Sequence, residues 1–434
     1  MIKITYLGAG SGFAPVLSKD IFQIPGLDGG EYCLVDIDPE RLKLSRRATE
    51  IVNEKLKTKW KITASTNREE VMSDSDFIIN TIEVNGLHTV KYDYEIPLKY
   101  GVDQCIGDTV GPGGVMKALR TIPPWLEILK DAERLCPKAY VLNYTNPMSM
   151  MMLATFRASK MKAVGLCHSV QGTSVDLSKY LGLPYEELEW KCAGINHMAW
   201  FTELKHKGED MYPTLKKKVK NDKALYEKDP VKFELLLHMG YFVTESSGHM
   251  SEYLPYFRKR SELIDKYCRE GYLGGRGFYS KNWPKWRQDL DERRKRIVTG
   301  QEEPQLNKSV EYASEIIEGI VFNRFKVIFG NVPNTGLITN LPQNEVVEVA
   351  CLIDKNGVNP MYFGELPPQL AALNKANMAV YDLAVRAIME GIYEKAEQAV
   401  MLDPLTAAVC SLEEIRSMFA ELYKAEKDYI PKLE

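Results

Sequence analysis

The opening residues constrain this chain more than anything that follows. An apolar run, Ile2-Lys3-Ile4-Thr5-Tyr6-Leu7, passes without a break into Gly8-Ala9-Gly10-Ser11-Gly12-Phe13. A strand that ends in closely spaced glycines and reopens as a helix lets a pyrophosphate approach the backbone at a helix N-terminus, as in dinucleotide-binding folds. The pattern is incomplete here, because the third glycine of G-x-G-x-x-G falls at position 13, where Phe13 stands. A second strand-like run, Tyr32–Val35, ends in Asp36, 26 residues beyond Gly10. An acid near that spacing hydrogen-bonds the adenosine ribose hydroxyls and repels a 2′-phosphate, which favours NAD over NADP. Gly8, Gly10, Ser11, Gly12 and Asp36 are therefore the candidate cofactor residues. The alternative is a plain glycine turn, with Asp36 capping the next helix.

Further short apolar runs at Phe77–Ile79, Tyr140–Leu142 and Ala163–Leu166 alternate with helical stretches at Pro39–Leu56 and Met116–Leu135. This alternation predicts βαβ units on a parallel sheet. Asp38-Pro39 starts the first helix, the acid as N-cap and proline in the first turn. After about residue 190 the character changes. Trp190–Lys205 reads as a bent pair of strands around Gly194-Ile195-Asn196-His197, and a long polar, helical region follows. Leu373, Ala376, Val380, Leu383 and Ala387 recur at helical spacing, a stripe for core or subunit interface. The expected architecture is α/β: a Rossmann-type doubly wound NAD-binding domain over residues 1–190, like that of lactate and malate dehydrogenases. A mixed α+β domain over 191–434 would serve substrate, metal and oligomerisation, with a homodimer or homotetramer expected.

Charge narrows the partners. Lys plus Arg total 56 against 59 Asp plus Glu, a net −3, which excludes a general nucleic-acid binder relying on excess positive charge. The basic runs Lys216-Lys217-Lys218 and Arg293-Arg294-Lys295-Arg296 read as solvated helix faces, since Asp291 and Glu292 adjoin the second. No apolar stretch approaches the roughly 18 residues of a membrane span. The N-terminus lacks signal-peptide architecture, and the eight cysteines are scattered. They are expected to be reduced and mostly buried, in a cytoplasmic protein.

Several segments hold chemistry. Ala163–Leu166 leads into Cys167-His168-Ser169-Val170, and His197 follows 30 residues after the cysteine. Thiolate and imidazole both ligate divalent metals, and two such ligands leave an open site that substrate or water completes. From spacing alone the plainer reading is a buried small thiol and a hydrogen-bonded loop histidine. Asn146, before Pro147 and so biased to an extended backbone, is a candidate substrate contact. Asp108, in the glycine-rich loop Asp108–Gly114, is another. Glu245-Ser246-Ser247-Gly248-His249-Met250-Ser251-Glu252-Tyr253 packs acids, a histidine and a phenol into one loop, which a hydrogen-bonded surface turn also explains.

Taken together, these segments resemble glycoside hydrolase family four, the NAD- and manganese-dependent glycosidases. The likeness runs over nearly the whole chain, from Gly8-Ala9-Gly10-Ser11 through Asp36–Pro39, Asp108–Gly114, Asn143–Met148, Cys167–Val170 and Gly194–His197 to Gly330-Asn331-Val332. Cys167-His168-Ser169-Val170 looks like the α-galactosidases and related α-glucosidases acting on unphosphorylated sugars; the phosphosugar members carry Asp or Asn after the cysteine. The match around Gly165–Thr173 and Tyr241–Tyr256 is closest to the melibiose-hydrolysing α-galactosidases. α-Glucosidase or α-uronidase activity is the alternative within the family, and a lactate- or malate-type dehydrogenase the alternative outside it.

The resemblance implies that Cys167 and His197 ligate manganese, with sugar hydroxyls completing the shell. It also implies redox elimination instead of the usual two-carboxylate route. NAD removes hydride from C3, a base takes the acidified C2 proton, the C1–O bond breaks, water adds and the hydride returns. Tyr253 is the positional match for the base, with Tyr256 three residues on as the alternative. His168 stands where phosphosugar members have an acid, and would protonate the leaving group or hold substrate.

Overall fold

In a computed structural model describing residues 1–434, the first six strands are parallel. They are β1 (Lys3–Leu7), β2 (Gly29–Val35), β3 (Lys59–Ser65), β4 (Phe77–Asn80), β5 (Tyr140–Asn143) and β6 (Lys162–Leu166), in the order β3-β2-β1-β4-β5-β6. This is the doubly wound order, in which ligands bind beyond the carboxyl ends of the strands where the order reverses, here between β1 and β4. The apolar runs form strands because helices cover both faces of the sheet: every residue of β4 is buried, so no polar alternation is needed. Five of the six lie within three residues of their expected spans; β3, whose alternation of exposed lysines with Trp60 and Ile62 makes it the edge strand, was not expected.

Helices α1 (Ala14–Phe22), α2 (Pro39–Leu56), α3 (Gly86–Lys99), α4 (Gly111–Leu135), α5 (Met148–Ala158) and α6 (Ser169–Leu181) belong to this half. The Asp38 carboxylate caps α2, accepting from the N–H groups of Glu40 and Arg41 at 3.0 and 3.1 Å. Helix α4 begins five residues before the expected Met116. Its first turn contains Gly113, where a Cβ would lie 2.4 Å from the Gly107 carbonyl oxygen. The glycines of this segment thus serve close packing inside the helix as well as the preceding turn.

The remaining strands extend the same sheet antiparallel. They are β7 (Leu188–Ile195), β8 (Met198–His206), β9 (Glu209–Asp210), β10 (Phe242–Val243), β11 (Lys326–Pro333), β12 (Val346–Asp354) and β13 (Gly357–Pro360). From β6 the order runs β11-β12-β7-β8-β10, with β9 on β8 and β13 on β12. The junction sets Gly330 opposite Leu166 and Asn331 opposite Gly165. One apolar cluster, containing Ile4, Leu142, Trp200, Ile328 and Phe419, spans both halves. No helix is long and apolar enough to cross a membrane.

Two expectations need correction. On the Pro368–Glu390 helix Val380 and Ala387 of the anticipated stripe are buried and Leu373 and Leu383 pack against the core, but Ala376 is exposed and the buried face also takes in Asn374, Asn377 and Tyr381. The apolar stripe was incomplete because the two asparagines are polar yet buried. Asn374 accepts from the Trp200 indole at 2.8 Å and donates to the Met198 carbonyl at 3.1 Å, and Asn377 donates to the Tyr253 carbonyl at 3.3 Å. The second basic run is not a uniformly solvated face either. Arg293 and Arg296 pair with Glu302, but the Arg294 side chain is only 3% exposed and donates to the carbonyls of Gly10 and Ser11.

Candidate active site

Cys167 follows the last residue of β6 and so emerges at the carboxyl edge of the parallel sheet. His197 arrives by a different route. Strands β7 and β8 pair through Ile195 and Met198, leaving Asn196-His197 as a two-residue hairpin loop with His197 at φ 63°. Such loops need a left-handed residue to match strand twist. Beyond β10, Thr244 pairs with Ala199 through its backbone N–H (2.9 Å) and hydroxyl (3.1 Å). That places Glu245 beside the hairpin. The Cys167 thiol, a His197 ring nitrogen and a Glu245 carboxylate oxygen all lie within 4.8 Å of one another. Ligand bonds of about 2.0–2.3 Å put donors on one ion up to about 4.5 Å apart, so small side-chain shifts would gather all three. Sulfur, imidazole and carboxylate suit a divalent transition metal.

The Glu245–Tyr253 segment, expected as a loop, contains the helix Ser247–Tyr253. Its cap is Ser246, whose hydroxyl accepts from the His249 N–H at 3.2 Å. One helical turn sets His249 and Tyr253 on one face, their rings 6.0 Å apart, with His249 4.6 Å from the His197 ring. The Tyr253 phenol lies 3.3 Å from His197 Nδ1, while His197 Nε2 faces Glu245 at 3.7 Å. Tyr256 is 39% exposed and packs on Phe257. Of the two phenols, Tyr253 is the one against His197.

Glu252 bolts this helix to the Asp108 loop. Its buried carboxylate accepts from the N–H groups of Cys105, Ile106 and Gly107 at 2.8–3.1 Å. Asp108 is held in turn by the Thr109 hydroxyl at 2.7 Å and by buried Lys117 at 3.2 Å. Burial pushes Asp108 up, but Lys117, Thr109 and the nearby His249 and His197 outweigh it and hold the acid at about 2. Glu245 behaves alike: burial opposes ionisation, and His197, His249 and His168 bring it to about 2. Burial drives the Cys167 thiol up to about 12 and the Tyr253 phenol well above its ordinary value. Without a bound cation both groups keep their protons.

His168 stands at the rim, its side chain 56% exposed and its Nδ1 3.1 Å from Glu311. The Glu311 hydrogen bond raises it to about 10 against the opposing effect of burial. Asn146 lies just beyond β5, the neighbour of the Cys167 strand, and is half-buried. Sequence reasoning missed Glu245 as a candidate metal donor. It also missed Asn196, whose amide oxygen and nitrogen are both buried without partners, and Glu348, which burial raises to about 8. The positions flanking His197 and the dense segment after Val243 were visible, but their pairing depends on the sheet.

The glycine turn sits at the strand-order reversal. A Cβ at Gly8 would lie 2.6 Å from the Thr81 carbonyl oxygen, and one at Gly10 2.8 Å from Asp36 Oδ2, so side chains are excluded from this cradle. The Asp36 carboxylate accepts from the N–H groups of Gly10 at 2.6 Å and Asp38 at 3.0 Å. Ser11 is held through its hydroxyl to Thr81 at 2.8 Å. Gly12 packs against Leu290. Where a third glycine was missing, Phe13 packs on Tyr144 with ring centres 5.7 Å apart. These features fit a dinucleotide turn whose loop is braced by side chains.

The family 4 glycosyl hydrolase model matches residues 3–183, and the family 4 glycosyl hydrolase C-terminal domain matches residues 192–406. The sequence is 41% identical over 443 residues to an α-galactosidase of Bacillus subtilis (strain 168), covering 100% of both chains. It is 34% identical over 451 residues to an α-galactosidase of Rhizobium meliloti (strain 1021), covering 99% of this chain and 89% of that one. In fold it resembles the 6-phospho-β-glucosidase of Thermotoga maritima solved with manganese, NAD+ and glucose-6-phosphate, with TM-score 0.82 at 23% identity over 100% of both chains. The two family matches adjoin and take in the glycine turn, the thiol, the imidazole and the phenol, and with full-length relatives on both sides the chain belongs to the family 4 glycosyl hydrolases.

Proposed function

We propose that this protein hydrolyses α-galactosides of the melibiose type by NAD-dependent redox elimination with manganese, as a cytoplasmic homodimer or homotetramer. The observation that carries the reading is the convergence of Cys167, His197 and Glu245 with Tyr253 at 3.3 Å from the imidazole. No pair of carboxylates flanking a free space is needed for this chemistry, and full-length likeness to α-galactosidases supports the sugar class. Residues 1–190 would supply the dinucleotide seat together with Asp108, Asn146 and His168, and residues 191–434 Tyr253, with metal donors drawn from both.

Bound NAD supplies a reversible hydride acceptor at the sugar C3, and bound manganese a Lewis acid for charge on the sugar oxygens. Cys167, His197 and Glu245 would hold the metal. Tyr253, ionised when the cation is bound, would take the C2 proton through its phenolate oxygen, which lies against His197 Nδ1. His168, protonated at neutral pH by its contact with Glu311, holds a proton for the departing oxygen. Asp108, kept ionised by Lys117, accepts hydrogen bonds from sugar hydroxyls, as does the Asn146 amide. Cleavage of a nitrophenyl α-galactoside should require NAD, manganese and a thiol reductant together, with the α-glucoside and α-galacturonide turned over more slowly. Full activity in dialysed, chelator-treated protein without NAD would sink the proposal.

Asp36 gives a separate check on the cofactor. Asp36→Ala is expected to weaken NAD binding by about 1–3 kcal/mol, the scale of lost hydrogen bonds to a charged acceptor. Part of that loss reflects release of the Gly10 N–H that the carboxylate now holds. Discrimination against NADP should relax as well. Equal affinity of the unmodified protein for NAD and NADP, measured by titration, would remove Asp36 from this role.

A further inference from the structure

The helix Phe278–Val298 comes from the second half of the sequence but packs on α2 and α3, across the glycine turn. Residues 287, 290, 291 and 294 share one face of it. Leu290 packs on Gly12, and Arg294 donates to the carbonyls of Gly10 and Ser11 while its Nε is buried without a partner. Asp291 is engaged by Arg41 at 3.0 Å and by Arg294 at 3.3 Å. Asp36 is engaged by backbone N–H groups. That leaves Arg287 half-buried and facing Arg41, Asp291, Asp36 and Glu83 with no carboxylate in ion-pair contact. It lines a cleft of about 330 Å³ with Arg41, Leu87, Pro284 and Asp291, between the starts of α2 and α3. A crowded, partly dehydrated guanidinium with no anion of its own is poised for one supplied by a ligand.

Building on the dinucleotide reading of the glycine turn, we propose that this helix is a working wall of the dinucleotide site. Arg287 pairs with the diphosphate of the bound nucleotide, and Arg294 is the positioning residue that sets the glycine turn beneath it. The ligand chemistry recognised is a nucleoside diphosphate, as a free nucleotide or as half of a dinucleotide. The unpartnered Arg294 Nε and the Arg287 guanidinium both lie on the side of the helix that meets the turn.

The helix carries its own reporters, Trp283 and Trp286, so binding can be followed by indole fluorescence and by calorimetry in the full-length protein without turnover. ADP, NAD and adenosine are the probes, against the unmodified protein, Arg287→Gln and Arg287→Lys. Loss of a charge-assisted hydrogen bond predicts about 10- to 100-fold weaker ADP and NAD binding in Arg287→Gln. Partial recovery is expected in Arg287→Lys, and adenosine affinity should be unchanged. Unaltered ADP and NAD affinity in Arg287→Gln would overturn the assignment, as would an equal loss for adenosine, which would make the helix a steric wall. Failure of the unmodified protein to bind ADP or NAD would instead overturn the dinucleotide reading itself.

Discussion

Replacing Tyr253 by phenylalanine is expected to lower kcat by about 10²–10⁴-fold, the range for removing a positioned general base. The substitution keeps the ring that packs near His249 and His197 and deletes only the oxygen facing His197 Nδ1. Substrate and NAD affinity should change little, which separates a role in the chemical step from one in binding. The same proton transfer leaves an isotopic record. Elimination through a C3 ketone requires the C2 proton to leave, and direct displacement at C1 does not. Galactose released in D₂O should therefore carry deuterium at C2, read by proton NMR or mass spectrometry. A product without it would send the search back to paired carboxylates. A nearly active Tyr253→Phe with an inactive Tyr256→Phe would move the base to the exposed phenol three residues along.

Cys167→Ser should abolish turnover while leaving NAD binding near normal. The thiol sits at the end of β6 and the glycine turn at the end of β1, with β5 and β4 between them. Serine keeps the shape but removes the soft donor that, with His197 and Glu245, distinguishes this cluster from an ordinary polar pocket. Manganese binding, measured directly on the chelator-stripped protein, should fall with activity. Glu245→Gln should lower manganese affinity too, since its carboxylate completes the triangle of donors. A serine variant fully active in chelator-treated buffer would show that no metal is held by this residue.

Most of the parallel half of the fold was legible because its inner strands are apolar runs bounded by a turn or helix start, whereas the edge strand β3, with Lys59 and Lys61 exposed, carries no such run. Asp38-Pro39 marked the start of α2 for the same local reason. The site was legible only in pieces. Thirty residues separate Cys167 from His197, and nothing in that spacing brings them together. They meet only in the folded chain, where the end of β6 and the β7–β8 hairpin, separated in the sheet order by β11 and β12, converge. Glu245 joins them through the pairing of Thr244 with Ala199, a contact that no periodicity encodes. Arg294 was hidden for another reason: in a run of four cations a single buried member leaves the average unchanged. Asn374 and Asn377 broke the apolar rhythm of their helix while forming part of its buried face. In each case a long-range partner satisfies the polar group, and composition carries no trace of that partner.

The junction between β6 and β11 has a consequence for how this molecule can move. Many two-lobed enzymes admit substrate by swinging their lobes about a flexible strap. Here the lobes are stitched edge to edge by main-chain hydrogen bonds and share one apolar interior, so rotation about such a strap would tear the sheet. Local displacement of the Phe278–Val298 helix, which crosses the glycine turn, would open the crevice without breaking this seam. Cys167 on one side of the seam and His197 and Glu245 on the other are thereby tied together through the main chain of one sheet.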